Sequence, residues 1–268
     1  MPLSLIKAHA YGNDFLLVKR SAIAAVADLS IFARAVCDRH RGFGADGLMV
    51  VDETLHGART QLLNADGSPS EISGNGIRCV AAWLARDRQL PADAFVDLET
   101  EAGNKRVAFL QTTGTRYTCR AEMGRPEGLE EATLDVDGES VTVVVLRVGN
   151  PQCVVLGAPD HVTQGRLHRL GAALAVHPYF PSGTNVELAT VEAPDRVRIL
   201  IWERGVGPTE ASGTGACAAA VAAAAFGSAA REVDVVAPGG TQRVEWTDTG
   251  IALTGWAELT GSVTWWGH

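Results

Sequence analysis

One four-residue pattern occurs twice in this chain, and each copy leads into a run of small apolar residues. Ser73 begins the stretch SGNGIRC, which continues into CVAAWLA, and Ser212 begins SGTGAC, which continues into CAAAVAAAAFG. The two copies lie about half the chain length apart, and strand-like sequence precedes each of them. A helix this rich in alanine indicates close approach of other elements on all sides, as when a sheet wraps around it. We therefore predict two pseudo-repeated lobes, each built around a central helix.

Strands far outnumber helices in the pattern of the remaining sequence. Runs rich in Val, Ile, Thr and aromatic residues alternate with Gly, Pro, Asn and Asp, which is typical of strands and turns. Because these runs do not alternate regularly with helices, a doubly wound parallel sheet is disfavoured and an α+β fold is predicted. The joint between the lobes is predicted near residues 112–117. Only four helices are predicted, and they cover residues 30–40, 74–88, 162–175 and 213–230.

Length, charge and cysteine content exclude several broad classes of protein. The 268 residues are enough for one large domain or two ordinary ones, and the net charge of −8 disfavours a general attraction to nucleic acid or an anionic membrane. The start of the chain lacks a signal-peptide pattern, and the longest apolar stretch, residues 216–226, is too short to span a bilayer. Five scattered cysteines without a Cys-x-x-Cys pair argue against a disulfide framework and a structural zinc site. They predict a reduced, cytoplasmic protein with mostly buried thiols.

A Gly-polar-Gly turn at the start of a helix is suited to binding an anion. It presents backbone N–H groups with the positive end of the helix dipole behind them, and its glycines let the backbone approach a ligand. A single turn of this kind more often marks only a helix start capped by serine. Two matched turns, one in each lobe, are more informative. Facing each other across a cleft, they would hold one carboxylate between two helix N-termini.

Further polar residues occur in turn-like contexts along both halves of the chain. Glu203 and Arg204 end an apolar strand just before the second glycine turn, where they would suit the ammonium and carboxylate groups of an amino acid. An ordinary surface ion pair is the alternative for these two residues. Four asparagines have similar contexts, although an asparagine beside glycine usually serves the turn itself. They are Asn13, Asn64, Asn150 and Asn185.

Eight short motifs, in order along nearly the whole chain, resemble those of diaminopimelate epimerase. They are YGNDF, RHRGFGADG, NADGS, GNGIRC, VGNPQC, SGTNVEL, ERGVGPTEASGTGACA and the late PGG. The resemblance implies two similar lobes, each a mixed β-barrel around a central helix, with the active site in the cleft between them. The N-terminal lobe is expected to comprise residues 1–116 together with the last strand, about residues 262–268. The C-terminal lobe is expected to comprise residues 117–261.

Cofactor-independent epimerisation is the activity that the resemblance implies. L,L-diaminopimelate would be converted to meso-diaminopimelate, a precursor of lysine and peptidoglycan. A base on one face removes the Cα proton and an acid on the other face returns one, while the carboxylate of the carbanion rests on the two helix N-termini. No metal or pyridoxal phosphate is implied. The implied partner is a small amino-acid substrate, with a homodimer as the expected assembly and no nucleic acid or membrane.

The resemblance also assigns roles to individual residues of this chain. The reacting carboxylate would be bound by Gly74, Asn75, Gly213 and Thr214. The distal end of the substrate would be held by Asn64, Asn150, Asn185 and Arg204. Asn13 matches a further binding position, and Glu203 would orient the reacting side. The proton-transfer positions are Ser73 and Ser212, and the catalytic set is completed by Glu203 and Gln152.

The sequence departs from the family at the residues that carry the chemistry. The family has cysteines, one thiolate and one thiol, at the positions of Ser73 and Ser212, a histidine at Gln152 and a glutamine at Gly47. A cysteine thiol has a pKa of about 8.5, whereas a serine hydroxyl lies near water at about 15.7. That gap amounts to about 9 kcal/mol for forming the base, and a helix dipole contributes only about 0.3–2 kcal/mol. Serine would therefore need a neighbouring base, and Gln152 does not titrate.

Three functions are consistent with these departures. The first is a diaminopimelate epimerase, active or crippled, whose serines are either natural or engineered. The second is a divergent isomerase, epimerase or dehydratase that acts on another amino or carboxylic acid, and the third is a non-catalytic amino-acid-binding protein. Cys79 and Cys217 are expected to point into the lobe cores rather than to replace the lost thiols. We predict that Ser73 Oγ and Ser212 Oγ face each other with room for a single Cα between them.

Overall fold

A computed structural model describes residues 2–70 and 73–267 of the chain, which divides into two units. Unit 1 extends to Ala121 and includes the C-terminal part of the chain from Gly255, and unit 2 is Glu122–Thr254. The lobe limits expected from the sequence stay a prediction, and Met1 and His268, which those limits include, lie outside the described residues. None of the helices in the described ranges is long and apolar enough to cross a membrane.

Seventeen strands and five α-helices make up the described parts of the chain. The helices are α1 (Leu29–Cys37), α2 (Gly74–Asp87), α3 (Gln164–Arg166), α4 (Ala172–Ala175) and α5 (Gly213–Phe226). The strands that begin in unit 1 are β1 (Leu3–Ala10), β2 (Asn13–Lys19), β3 (Gly47–Glu53), β4 (Gly57–Asn64), β5 (Pro69–Ser70), β6 (Phe95–Thr100), β7 (Gly103–Thr113) and β8 (Arg116–Gly124). Those that begin in unit 2 are β9 (Glu127–Val136), β10 (Glu139–Val148), β11 (Asn150–Leu156), β12 (Asn185–Ala193), β13 (Arg196–Glu203), β14 (Gly207–Thr209), β15 (Glu232–Ala237), β16 (Gly240–Thr247) and β17 (Gly250–Trp265). Short 3₁₀ turns cover Arg20–Ile23 and Pro159–His161, and a π-helical turn, Leu167–Gly171, joins α3 to α4.

The same order of strand pairings occurs in both units. In unit 1, β1–β2, β3–β4, β6–β7 and β7–β8 are antiparallel, while β2–β3 and β4–β6 are parallel. In unit 2, β10–β11, β12–β13, β15–β16 and β16–β17 are antiparallel, while β11–β12 and β13–β15 are parallel. The C-terminal part of β17 pairs with β1 and β8, which closes the strands of unit 1 into a ring. The predicted α+β class, with two similar mixed β-sheet lobes, is confirmed.

Each unit encloses one helix, and that helix occupies the second parallel crossover. In unit 1, α2 contacts β1, β2, β3, β6 and β7, and its residues 74–85 are buried. In unit 2, α5 contacts β10, β11, β12, β13, β15 and β16, and its residues 213–223 are buried. Strands on all sides leave little space, and a Cβ at Gly76 would lie only 3.1 Å from Met49 Sδ. The close approach of the strands therefore requires small residues in these helices, as the sequence predicts.

Two of the predicted helices end earlier than the sequence pattern indicates. α1 ends at Cys37 instead of residue 40, because Asp38 leaves the helix and its carboxylate accepts hydrogen bonds from the N–H groups two and three residues ahead. α5 ends at Phe226 instead of residue 230, because Gly227 adopts a non-helical conformation with φ −109° and ψ −149°. In both cases a local turn residue stops the helix although helix-forming residues follow.

The sequence pattern does not predict β9, which carries acidic residues along its exposed face. Glu130, Glu131 and Asp135 are exposed, while Leu134 and Val136 are buried in the core of unit 2. β9 pairs with β10 along nearly its whole length in antiparallel register. Apolar and polar residues alternate only in the last part of β9, so the sequence signal for a strand is weak. Backbone pairing with β10 stabilises the extended conformation.

A larger side chain in the middle of α5 is expected to destabilise the protein. Ala218 is fully buried, so Ala218→Leu would overpack the helix and lower the free energy of unfolding by about 1–3 kcal/mol. Ala225→Leu is the matched control, because Ala225 is exposed in the same helix and its substitution should change stability by less than about 0.5 kcal/mol. Urea unfolding measures both values. Equal tolerance of the two substitutions would contradict the tight enclosure of α5.

Candidate active site

Each unit places a serine at the N-cap of its enclosed helix. Ser73 Oγ accepts a hydrogen bond from Gly76 N at 3.0 Å, and Ser212 Oγ accepts one from Gly215 N at 3.2 Å. Both serines have extended backbones, and their carbonyl oxygens accept the N–H of the fourth helical residue. The positive end of each helix dipole therefore lies at the first two N–H groups. Those groups belong to the residues predicted to bind a carboxylate, Gly74, Asn75, Gly213 and Thr214.

Side-chain hydrogen bonds fix the first turn of α2 within unit 1. Asn75 Nδ2 donates to Asn13 Oδ1 at 3.1 Å, and Asn13 Nδ2 donates to Asp46 Oδ2 at 2.8 Å. Arg78, which is fully buried, donates to Asn75 Oδ1. Arg39 donates to Asp46 Oδ1 at 2.8 Å, so Asp46 links Arg39 to Asn13. The two asparagines predicted as binding residues thus lie together, and their amides hold the helix start in place.

Asn64 is the last residue of β4, and it lies at the edge of the sheet where β2 and β3 begin. It is paired with Gly47, and Gly47 is paired in turn with Phe15 on β2. Asn64 Nδ2 donates to Ser68 Oγ at 3.0 Å, so the side chain stabilises the turn after β4. A Cβ at Gly47 would lie 2.8 Å from the carbonyl oxygen of Leu63. The glutamine that the family has at this position would therefore require the backbone to shift.

In unit 2, predicted site residues lie on the sheet face that packs against α5. Gln152 and Asn185 are paired in the parallel register of β11 and β12, so their side chains share one face. The alternate residues Cys153 and Val186 belong to the core cluster on the opposite face. Gln152 is fully buried and donates through Nε2 to Asn150 Oδ1 at 2.6 Å. Asn185, which is distant in sequence from Asn150 and Gln152, is therefore adjacent to Gln152 in this unit.

Arg204 and Glu203 lie at the end of β13, next to Asn185. Asn185 Oδ1 accepts a hydrogen bond from the backbone N–H of Arg204 at 2.9 Å. The Arg204 guanidinium is exposed and donates to the carbonyl oxygen of Ser182 at 2.6 Å. Glu203 is half-buried. The structure thus connects Arg204 with Asn185, both predicted to hold the distal end of the substrate.

Glu187 lies on the same face of β12, and the sequence reasoning misses it. Its side chain is fully buried, and among the described residues neither carboxyl oxygen has a hydrogen-bond partner. A Cβ at Gly215 would overlap with Glu187 Oε1, so glycine is needed in the first turn of α5. Burial, with a smaller contribution from the charge of Glu203, raises the pKa of Glu187 well above its usual value. A single acid in the otherwise apolar strand NVELATV is the signal that would have identified it.

The cysteines nearest to the two serines in sequence lie in the interior of their units. Cys79 and Cys217 are both fully buried, as predicted. Burial raises the pKa of Cys79 to about 12, so it stays a thiol at neutral pH. Cys79 therefore does not replace the thiol that the family has at the position of Ser73.

Comparison with known proteins assigns the chain to a family. The family model of diaminopimelate epimerase matches residues 5–128 and 144–266. This chain belongs to the diaminopimelate epimerase family. Its relatives include the diaminopimelate epimerases of Desulforudis audaxviator, 42% identical over 261 residues with 92% of each chain covered, and of Desulfitobacterium hafniense, 38% identical over 271 residues with 94% of each covered.

A solved structure supports the fold of the diaminopimelate epimerase family independently of close sequence similarity. The structure of a probable proline racemase from Agrobacterium radiobacter has a TM-score of 0.74 to this chain and is 17% identical. The match covers 97% of this chain and 92% of the racemase. At this identity the likeness shows the fold alone. The resemblance identified from the eight sequence motifs is confirmed by the family match.

The buried acid is expected to make stability depend on pH. The native state keeps the Glu187 proton at pH values where the unfolded chain, with a pKa of about 4.3, has lost it. The folded state then binds more protons, so stability falls as pH rises from about 4.3 towards the native pKa, by at most about 1.4 kcal/mol per pH unit. Urea unfolding between about pH 5 and pH 8 should therefore show Glu187→Gln gaining stability over wild type as pH rises.

Glu192→Gln is the control on the same strand. An ion pair with Arg198 lowers the pKa of Glu192, so its carboxyl is ionised in both states throughout this range. Its stability difference from wild type should stay constant with pH. A constant difference for Glu187→Gln as well would contradict a raised native pKa at Glu187.

Proposed function

We propose that this protein is a cofactor-independent epimerase that interconverts L,L- and meso-diaminopimelate, and that serines at its proton-transfer positions make it slow. The observation that carries this proposal is the pair of matched helix starts in a chain of this family. Each helix is enclosed by strands, begins with Gly-polar-Gly and is capped by a serine whose Oγ accepts the N–H of the third helical residue. The same helix start occurs in both units, which supports an anion-binding role for each of them.

The helix starts are suited to stabilising the negative charge that develops in the reaction. When the Cα proton leaves, the electron pair spreads into the substrate carboxylate, whose oxygens become more negative. Backbone N–H groups held in a fixed first turn stabilise that charge without reorganising. These groups belong to Gly74, Asn75, Gly213 and Thr214. The bonds from Asn13 to Asn75 and Asp46 keep the first of these turns rigid.

The other end of the substrate is assigned to residues that the fold brings together within each unit. In unit 2, Asn150 lies beside Gln152, and Asn185 holds the backbone of Arg204. In unit 1, Asn64 occupies the end of β4. An ammonium and a carboxylate on the distal carbon would be recognised by amide oxygens and the guanidinium, respectively. We assign Glu203, next to Arg204, to orienting the reacting side.

Proton transfer is the step that the serines impair. Forming an alkoxide at Ser73 or Ser212 costs about 9 kcal/mol more than forming a thiolate. Each Oγ also accepts a helix N–H, which stabilises an oxyanion by only a small part of that amount. Gln152 carries no titratable proton. We therefore expect substrate binding to be retained and Cα exchange to be slow.

Restoring the two thiols is expected to restore exchange. Wild-type protein incubated with L,L-diaminopimelate in deuterated water should incorporate deuterium at Cα slowly or not at all. The double variant Ser73→Cys/Ser212→Cys should exchange at least about 10²-fold faster, the usual scale of general acid–base catalysis. The single variants Ser73→Cys and Ser212→Cys are the controls, because each leaves one proton-transfer position without a thiol. Proton NMR follows the loss of the Cα signal.

Calorimetric titration with diaminopimelate separates the ways in which this proposal fails. A double variant that binds the substrate without exchanging its Cα proton would contradict the proton-transfer roles and favour an amino-acid-binding protein. A double variant that neither binds nor exchanges would show that the substrate is a different amino or carboxylic acid. The same exchange assay over a panel of amino acids then identifies that substrate.

Assembly and location follow from the same family membership as expectations. We expect a homodimer that acts in the cytoplasm, where its product would enter lysine and peptidoglycan synthesis. The five free and buried cysteines are compatible with a reducing compartment. Light scattering coupled to size-exclusion chromatography measures the assembly, and a monomer at micromolar concentration would contradict it.

A further inference from the structure

We propose that Glu187 is the proton-exchanging partner of Ser212, so that a buried carboxyl group activates the hydroxyl at the start of α5. The role of Ser212 in catalysis rests on the proposed function, but the closeness of the two side chains in the first turn of α5 does not. Glu187 would act through Ser212 and is therefore a positioning and relay residue. No residue role implied by the family resemblance includes it.

Gly215 brings the two side chains to the same place in the first turn of α5. A Cβ at Gly215 would overlap with Glu187 Oε1 and would lie 3.2 Å from Ser212 Cβ. The carboxyl group therefore lies beside the cap, in the space that the absence of a side chain at Gly215 provides. Ser212 Oγ accepts the Gly215 N–H at 3.2 Å and is 3.5 Å from Thr214 Oγ1. Neither Glu187 oxygen is hydrogen-bonded to Ser212 in this structure, so the relay requires the carboxyl group to approach Oγ when it takes up the hydroxyl proton.

The carboxyl group is buried without the contacts that usually compensate burial. Neither oxygen of Glu187 has a hydrogen-bond partner within the described residues, although the side chain is fully buried. Gln152, on the neighbouring strand and the same sheet face, is also fully buried. Its Oε1 likewise has no hydrogen-bond partner within the described residues. Such groups reduce stability and are rare in native proteins. Two of them on one sheet face indicate a site kept for chemistry instead of packing.

The charges around Glu187 favour a proton that can be taken up and released. Glu203 on β13 and Cys153 on β11 are the titratable groups that interact with it electrostatically. α5 contributes no charged side chain, and Cys217 is its only titratable residue. Burial and the charge of Glu203 both raise the pKa of Glu187. Its ionised form is therefore a stronger base than an exposed carboxylate.

The relay conserves atoms and charge in both directions. As the Cα–H bond breaks, its proton passes to Ser212 Oγ, and the hydroxyl proton of Ser212 passes to the Glu187 carboxylate. The electron pair stays on the substrate as a carbanion, and Ser212 remains a neutral hydroxyl. The reverse sequence returns a proton from Glu187 through Ser212 to Cα. At Ser212 the relay avoids the free alkoxide, as in Ser–His pairs, and the cost of alkoxide formation given above then applies to Ser73 alone.

A thiol placed at position 212 tests the coupling to Glu187 directly and without substrate. In Ser212→Cys, the pH dependence of alkylation by iodoacetamide, followed by mass spectrometry, gives the apparent pKa of the introduced thiol. In Ser212→Cys/Glu187→Gln, we expect that pKa to change by about one unit or more, because the introduced thiol and the Glu187 carboxyl group would titrate as a coupled pair. The five native cysteines are buried and provide a low background.

Two further variants make the result specific. Thr190→Val in the Ser212→Cys background removes a different buried polar group from the same strand and should leave the thiol pKa unchanged. Glu187→Asp keeps the carboxyl group and should retain part of the coupling. Circular dichroism confirms folding, and Glu187→Asp serves as the comparison if Glu187→Gln does not fold. An unchanged thiol pKa on loss or shortening of the Glu187 side chain would overturn the inference.

The thiol titration tests the relay, and the exchange assay tests the proposed function, so the two can fail independently. Coupling between the thiol and Glu187 without any exchange of diaminopimelate would support the relay and contradict the substrate assignment. Rapid exchange in Ser73→Cys/Ser212→Cys with no coupling would support the epimerase and contradict the relay. A purely structural role for Glu187 would change stability in Glu187→Gln but leave the titration of the introduced thiol unchanged.

Discussion

Enclosure of one helix by strands on nearly all sides is the constraint on which each unit depends. A helix in that position has no solvent-facing side, so its side chains must be small where strands approach closely, as at Gly76 and Ala218. The N–H groups of its first turn cannot all be satisfied within the helix. Ser73 and Ser212 satisfy one N–H each, and the remaining positive end is the feature that suits a carboxylate. Packing and anion recognition thus follow from the same geometry.

Glu187, the buried acid on β12, lowers the stability of the fold but has a proposed role in proton transfer. A core selected for stability alone would place an apolar residue at Glu187, because a buried carboxyl group without a partner is costly. Gly215 makes room for that carboxyl group in the first turn of α5, where glycine also lowers helix stability. Two unfavourable choices that fit each other are better explained by a role in proton transfer than by separate accidents.

Much of the fold could be predicted from the sequence, and the failures have specific physical causes. The two glycine turns and the alanine-rich runs predict the repeat, because only small residues permit enclosure. The predicted extension of α5 beyond Phe226 was wrong because Ala229 and Ala230 favour helix by propensity, whereas Gly227 ends the helix. β9 was not predicted because a segment with so many acidic residues has the composition of a loop, and its pairing with β10 cannot be read from the sequence. For the site, Asn13 has the sequence context of a turn residue, yet its amide links Asn75 to Asp46.

The sequence by itself determined the family, the pseudo-repeat and the loss of both thiols, because these depend on residue types and their order. Only the tertiary structure decided that Gln152, Asn185 and Glu187 share one face, because that depends on the register of β11 against β12. Register also decides the environment of the acid, since the same glutamate shifted by one residue would lie on the opposite face, in the apolar cluster of Val186 and Leu188. A pKa is a property of surroundings, and chain order alone does not contain them.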